Sequence, residues 1–216
     1  MSDQRLVLYT DDFWISPYVF TCFVGLHEKS LEFEAHPVAL QRKEQLEPGY
    51  RDRSITGRVP SLDHAGFRVA ESSAIIEYVD EVFPPPRHAR LLPEPPKERA
   101  RARQVMSWLR SDLLALREER PTTTMFYERA RAPLSAEGRE AAEKLVRVAD
   151  LLLKDGAVSL FGDWSIADAD LGFMLHRLLL NGHDVPPKVR RFAEAQWDRP
   201  SVMAFVKRER PPLVPY

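Results

Sequence analysis

The sequence predicts an α/β amino-terminal domain followed by an all-helical carboxy-terminal domain, and three observations predict it. Residues 1–87 alternate short β-type runs with helical ones, whereas 97–216 carry helical periodicity alone. Between them, "FPPPRHARLLPEPPKER" (83–99) holds six of the 18 prolines. Proline blocks helix and ladder hydrogen bonding, so this stretch reads as a semi-rigid connector. Charge changes sign at the same place. The chain up to Arg87 has 9 basic and 14 acidic residues, net −5, and the remainder has 22 basic and 18 acidic, net +4. The boundaries expected are 1–87, a proline-rich linker at 88–96, and 97–216.

In the first half, "RLVLYT" (5–10) is a short strand. Pro17 to about Lys29 is helical, with Val19, Phe23 and Leu26 at three- and four-residue spacing. "LEFEAHPVAL" (31–40) begins with the alternation of a half-buried strand. "RVPSLDH" (58–64) and "FRVAES" (67–72) flank Ala65-Gly66, a hairpin turn. "SSAIIEYVDEVF" is a helix with Ile75, Val79 and Val82 on one side. The order β-α-β-(irregular)-β-β-α is that of a thioredoxin-like domain.

In the second half, about 97–119 reads as one long helix with Val105, Leu109, Leu113 and Leu116 as its apolar stripe. Leu134 to Lys154 is another, opened by Ser135. A third, 164–182, starts with Ser165-Ile-Ala-Asp168, which has capping-box spacing, and stops at Asn181-Gly182. Two shorter helices follow near 187–195 and 200–208. Arg99, Arg103, Arg110 and Arg117 are spaced by four and seven, which puts them on one helix face, either solvated or forming a cationic wall.

Composition excludes several functions. A net charge of −1 gives no reason to expect nucleic-acid binding. The single cysteine, Cys22, rules out an intrachain disulfide and a thiolate zinc cluster. His27, His36 and His176 have no metal-ligand spacing, so no metal is expected. No run approaches the roughly 18 apolar residues of a membrane span. "MSDQRLVLYTDD" lacks the basic start and apolar stretch of a signal peptide, and a reducing cytoplasm is expected.

Three short stretches carry candidate chemistry. In "FWISPYVFTCF" (13–23), Ser16 precedes a proline suited to the first helical turn. Its hydroxyl is either a helix cap, worth about 1 kcal/mol, or a group presented to a ligand. In "GRVPSL", Val59-Pro60 is either an ordinary strand entry or, as is usual at this place in a thioredoxin-like frame, a cis bond. A cis bond would turn the Val59 N–H and C=O outward, where an extended peptide can pair with them. In "ESSAIIEY", Ser72 starts a helix and Glu71 precedes it. The helix start suits a carboxylate and Glu71 suits an ammonium, so the pair fits the two ends of an amino-acid head group. A capping serine beside a solvated glutamate is the alternative.

Serine at the first helix, Val-Pro before the third strand and Glu-Ser at the third helix, in that order, resemble the glutathione S-transferase family. The proline-rich connector and the capping box on a late helix extend the resemblance over nearly the whole chain. The strings "ISPY", "RVP", "ESSAI", "RARARQ", "WLRSDL" and "REERPT" are similar to those of bacterial YfcF-type glutathione transferases.

The resemblance implies a glutathione transferase, with glutathione as co-substrate and glutathione-dependent peroxide reduction as a second activity. It implies that Ser16 hydrogen-bonds the glutathione sulfur, that Val59 pairs with the cysteinyl backbone, and that Glu71 and Ser72 hold the γ-glutamyl end. Arg58 stands where a family polar residue often contacts the tripeptide. A homodimer is implied too, pairing through the long helix. A free thiol ionises near pH 8.5, and lowering that by two units takes about 2.7 kcal/mol of differential stabilisation. A charge-assisted hydrogen bond and a helix N-terminus can supply it. Tyr9 is the rival to Ser16, since several classes of the family use a tyrosine there. Cys22 lies six residues beyond Ser16, about 100° each, so it faces away from the cap into the core. Phe13 and Trp14 either wall a second-substrate pocket or pack the core. The alternative function is a non-catalytic binding or scaffold protein of this fold. A thiol-disulfide oxidoreductase is disfavoured because no Cys-x-x-Cys occurs.

Overall fold

A computed structural model of the protein describes residues 5–214. By contacts the chain divides into Met1–Leu91 with Ala204–Tyr216, and Leu92–Met203.

The first unit is built on a four-stranded sheet of order β2-β1-β3-β4. The strands are β1 (Leu6–Asp11), β2 (Glu34–Val38), β3 (Ser61–His64) and β4 (Phe67–Ala70). β2 lies parallel to β1, whereas β3 is antiparallel to both β1 and β4. A parallel neighbour needs a crossover, and α1 (Pro17–Glu28) supplies it. Every residue of α1 from Val19 to Leu26 is buried, as an all-round apolar helix must be. α3 (Ser72–Val82) covers one side of it. The approach is close at Gly25, where a Cβ would meet Ile76 Cδ1 at 2.5 Å. Phe205 covers another side, with ring centroids 5.3 Å from Phe20 and 5.6 Å from Phe23. That aromatic packing is why the residues from Ala204 group with the sheet, although the sequence assigns all of 97–216 to the second domain. On the other face of the sheet, Val7, Tyr9 and Val38 pack with Tyr50 of the short helix α2 (Pro48–Arg51). The inward face of α3 is Ile75, Ile76 and Val79; Val82, expected there, is exposed.

The connector is held by one buried cation. Lys29 Nζ, fully buried, lies 2.8 Å from Asp80 Oδ1 and donates to the carbonyls of Phe83 at 2.8 Å and Ala89 at 2.7 Å. Asp80 Oδ1 also accepts the Leu91 N–H at 2.8 Å. Pro84 and Pro86 are exposed and Pro85 half-buried in the stretch so held, and Leu91 is buried.

The second unit is helical: α4 (Pro96–Ser111), α5 (Leu114–Glu119), α6 (Thr123–Phe126), α7 (Ala136–Leu152), α8 (Ile166–Leu179) and α9 (Pro187–Trp197), with α10 (Pro200–Val206) next. The single helix expected over 97–119 is broken at Asp112. Its carboxylate accepts the Trp108 indole N–H at 2.9 Å and the Leu113 N–H at 2.7 Å, and it pairs with Lys144. Competition of this kind for backbone donors is what makes aspartate a poor residue inside a helix. Leu113 then adopts φ 61°, and the chain restarts as α5. Arg117 therefore leaves the helix that carries Arg99, Arg103 and Arg110. Arg110 is committed to Asp170 at 2.8 Å, so no continuous cationic wall forms. α8 is the core of this unit, buried from Ile166 to Leu178. Its start is fixed by Asp168, whose carboxylate accepts the Ser165 N–H at 2.7 Å, the Ser165 hydroxyl at 2.9 Å and the Leu160 N–H at 2.6 Å.

Replacing Lys29 with methionine keeps the stem packing and leaves Asp80 and two carbonyls without their cation. Removing one partner of a buried pair costs about 3–5 kcal/mol, so urea unfolding of Lys29→Met should show a loss in that range. A loss below about 1 kcal/mol would contradict the role given to this lysine.

Candidate functional site

The register of the sheet brings the predicted residues together. Tyr9 on β1 is opposite Ser61 on β3, and Ser61 is opposite Ala70 on β4. The end of β1, the start of β3 and the end of β4 are thus one edge of the sheet. Ser16 follows the first within five residues of Asp11, Val59-Pro60 immediately precedes the second, and Glu71-Ser72 immediately follows the third.

Ser16 is the N-cap of α1, in extended backbone, and its Oγ accepts the Val19 N–H at 3.3 Å. That bond uses a lone pair and leaves the hydroxyl proton available, so capping and donation to a ligand are compatible. The turn before it is held by Asp11, which is 1% exposed. Asp11 accepts the Ile15 N–H at 2.7 Å and the Ser16 N–H at 3.3 Å. Burial pushes its carboxyl up to about 6 against the pull of those two amides.

The Val59-Pro60 bond is cis. The segment is held from behind: Tyr50 donates its phenol to the Arg58 carbonyl at 2.8 Å, and Ser54 donates to the same oxygen at 3.0 Å. The Tyr50 phenol also lies 3.2 Å from Ser61 Oγ. Among the described residues, the Val59 N–H and C=O have no hydrogen-bond partner. Arg58 is exposed.

Glu71 occupies the N-cap of α3 with φ 71° and ψ 118°, and its exposed carboxylate makes no cap bond. A non-glycine residue there costs on the order of 1–3 kcal/mol, and such outliers gather at functional sites. Ser72 is buried, and its carbonyl lies 3.9 Å from the Cys22 thiol. Cys22 itself is 0% exposed, in the core.

Tyr9 packs on the other face of the sheet, edge-on to Tyr50, and its hydroxyl accepts from Arg53 at 2.7 Å. Phe13 and Trp14 are buried core residues. Among the described residues no group of three or more His, Cys, Asp or Glu could hold a metal, and no helix is long and apolar enough to cross a membrane. A cavity of about 960 Å³ around Arg5, Leu6, Glu34 and Phe83 lies at the opposite end of β1 from this edge.

Asp11, Tyr50 and Ser54 were not anticipated from sequence. An acidic residue closing the apolar run "LVLYTD" is the one local signal for Asp11. Tyr50 and Ser54 sit in "YRDRSITG", where nothing local points to Arg58.

The family model for the glutathione S-transferase C-terminal domain matches residues 96–209, more than half of the chain. The chain belongs to the glutathione S-transferase family. The model for the glutathione S-transferase N-terminal domain matches 15–82, the span that contains Ser16, Arg58, Val59, Glu71 and Ser72. A glutathione transferase homologue from Burkholderia (strain BGR1), solved with bound glutathione, is 41% identical with a TM-score of 0.77, covering 94% of this chain and 97% of that one. A probable glutathione S-transferase, GSTU1, of Oryza sativa subsp. japonica is 40% identical over 91 residues, 42% of this chain and 37% of that protein. The match spans less than half the length of such curated relatives. The β-etherase LigF of Sphingobium sp. strain SYK-6, at 21% identity and a TM-score of 0.73 over 93% of this chain and 98% of that one, shares the fold.

The raised Asp11 carboxyl has a consequence for stability. The folded state favours its protonated form, so its stabilising contribution is full below the unfolded value near 3.8 and is lost as pH rises through about 6. The amplitude of a two-unit shift is about 2–3 kcal/mol. Between pH 4 and 7, Asp11→Asn should therefore gain stability relative to the parent by about that much. Chemical denaturation at several pH values measures it, and a pH-independent difference would refute the assignment.

Proposed function

We propose that this chain is a glutathione transferase, that it binds glutathione along the sheet edge described above, and that Ser16 activates the thiol. The observation that carries the reading is the register Tyr9–Ser61–Ala70, which gathers Ser16, Val59 and Glu71-Ser72 at one edge. In this reading the cysteinyl backbone pairs with the two Val59 groups as an added strand does. The γ-glutamyl carboxylate meets the N-terminus of α3 and Ser72, and its ammonium meets Glu71. The sulfur then sits at the start of α1, where the Ser16 hydroxyl donates to it. The thiolate attacks the electrophilic carbon of a small substrate, forming a carbon–sulfur bond as the carbon's leaving group departs with its bonding pair. With a hydroperoxide as second substrate class it attacks the outer oxygen, and the O–O bond breaks to release the alcohol after proton uptake. A second glutathione then condenses with the resulting sulfenic acid to give glutathione disulfide and water. Arg58 contributes an exposed cation near the tripeptide. The string similarity favours the YfcF-type subgroup, a cytoplasmic site of action and detoxification or oxidative-stress chemistry.

Glu71 argues against the scaffold alternative. A scaffold has no use for an exposed carboxylate held at positive φ, because a glycine there would remove the strain.

Titration calorimetry with glutathione tests binding, and the ultraviolet absorbance of the bound thiolate tests activation. Ser16→Ala should move the thiolate titration upward by about one unit or more, corresponding to about 1.4 kcal/mol. Glutathione affinity should change much less, since Val59, Glu71 and Ser72 remain. An unmoved titration with full turnover would remove Ser16 from the chemistry. Glu71→Gln keeps the shape and deletes the charge; affinity should fall about tenfold, or about 1.4 kcal/mol, with the titration unmoved. We also propose a homodimer, for which sedimentation at micromolar concentration should give twice the 24.9 kDa of one chain.

A further inference from the structure

The turn between Asp11 and Ser16 sets the direction in which the Ser16 hydroxyl points. Trp14, within it, has φ 53°, in the left-handed region that a tryptophan adopts only when its surroundings enforce it. Asp11 restrains the amides of Ile15 and Ser16. The carbonyl of Trp14 is restrained from elsewhere: it accepts from Arg210 Nε at 3.2 Å, across 196 positions of sequence.

Arg210 is itself anchored. Nη1 donates to the carbonyls of Val206 at 2.9 Å and Arg208 at 2.8 Å, and Nη2 donates to Phe205 at 3.1 Å. Phe205 packs edge-on against Trp14, centroids 5.9 Å apart, and the Arg208 guanidinium lies 3.6 Å from the Trp14 ring centroid. The carboxy-terminal segment thus grips both the ring and the carbonyl of Trp14, two residues before Ser16. The charges facing this turn are Arg208 and Arg210 on one side and Asp11 and Asp12 on the other. A guanidinium does not titrate in this range, so its influence is constant with pH.

We infer that Arg210 is a positioning residue for Ser16: by holding the Trp14 carbonyl it fixes the turn that aims the hydroxyl. The inference rests on the role proposed for Ser16 above. Arginine is required because the Nε–H must reach Trp14 while both Nη atoms hold the segment's own carbonyls. A lysine has one nitrogen for all of these acceptors.

The test is the thiolate titration of bound glutathione, followed by absorbance, in the full chain and in Arg210→Met, Arg210→Lys, Ser16→Ala and the double variant Ser16→Ala with Arg210→Met. Calorimetric affinity and thermal unfolding are recorded alongside. Arg210→Met should raise the titration midpoint by about half a unit, roughly threefold in the ionisation constant, with glutathione affinity changed less than about twofold. Arg210→Lys should retain most of that shift, since the geometry is lost although the charge is kept. In the Ser16→Ala background, removing Arg210 should move the midpoint no further. An unmoved midpoint in the Arg210 variants while Ser16→Ala shifts it would overturn the inference and leave the Ser16 reading intact. An equal shift with and without Ser16 would also overturn it, because Arg210 would then act independently. An unmoved midpoint in Ser16→Ala would overturn the Ser16 reading and the inference together. If Arg210→Met does not fold, Arg210→Lys is judged by the same criteria.

Discussion

Antiparallel pairing of β3 against β1, with Tyr9 opposite Ser61 and Ser61 opposite Ala70, is the constraint on which the candidate site depends. β1 and β4 end where β3 begins, so a helix start, a Val-Pro step and a second helix start share one sheet edge without any of them being near in sequence. Register is a two-state matter for side chains. A slip of one residue would send Leu62, which is 1% exposed, to the opposite face. The hydrophobic alternation that keeps the core closed therefore also fixes which backbone groups meet at the edge. Residues 61–70 form a tight hairpin, so the Val59 and Glu71 segments cannot drift apart without unpairing β3 and β4.

Buried charges finish what the register begins. Asp11 gathers two amides and so defines the entry to α1; Asp168 gathers two amides and a hydroxyl and defines the entry to α8; Lys29 gathers two carbonyls and a carboxylate and binds the connector. Each ion is costly to bury, and each offsets that cost by collecting backbone groups that would otherwise have no partner. The two carboxylates both titrate upward for the same reason, burial, to about 6. The polarity of each ion matches its task. Carboxylates sit at helix starts, where N–H groups are in excess, and an ammonium sits where α1 and α3 end and their carbonyls are in excess.

Much of this was legible in the sequence because it is local. A strand shows its period, Ser-Pro announces a helix start, and Ser165 with Asp168 announces another. The order of Ser16, Val59-Pro60 and Glu71-Ser72 carries the family resemblance, whereas their meeting at one edge follows from the pairing register. The break at Asp112 leaves no mark in the periodicity because the apolar stripe continues across it: Val105 and Leu109 before it and Leu113 and Leu116 after it are all buried, and periodicity records burial, not continuity. The roles of Tyr50, Ser54 and Arg210 were illegible for a different reason. Each acts on a carbonyl, and a carbonyl has no side-chain identity that could mark position 58 or 14 as a target. Glu71 was read correctly as a carboxylate at a helix start, but its positive φ is imposed by the β4-to-α3 junction and leaves no trace in residue type.

That backbone angle has a bearing on how the protein would respond to engineering. Under a screen that rewards only heat resistance, position 71 is one of six described non-glycine positions at positive φ where glycine would relieve backbone strain, offset by the added freedom it gives the unfolded chain. The same replacement removes the carboxylate from the start of α3. If Glu71 holds the γ-glutamyl ammonium as proposed, thermal selection and selection for turnover would pull residue 71 in opposite directions.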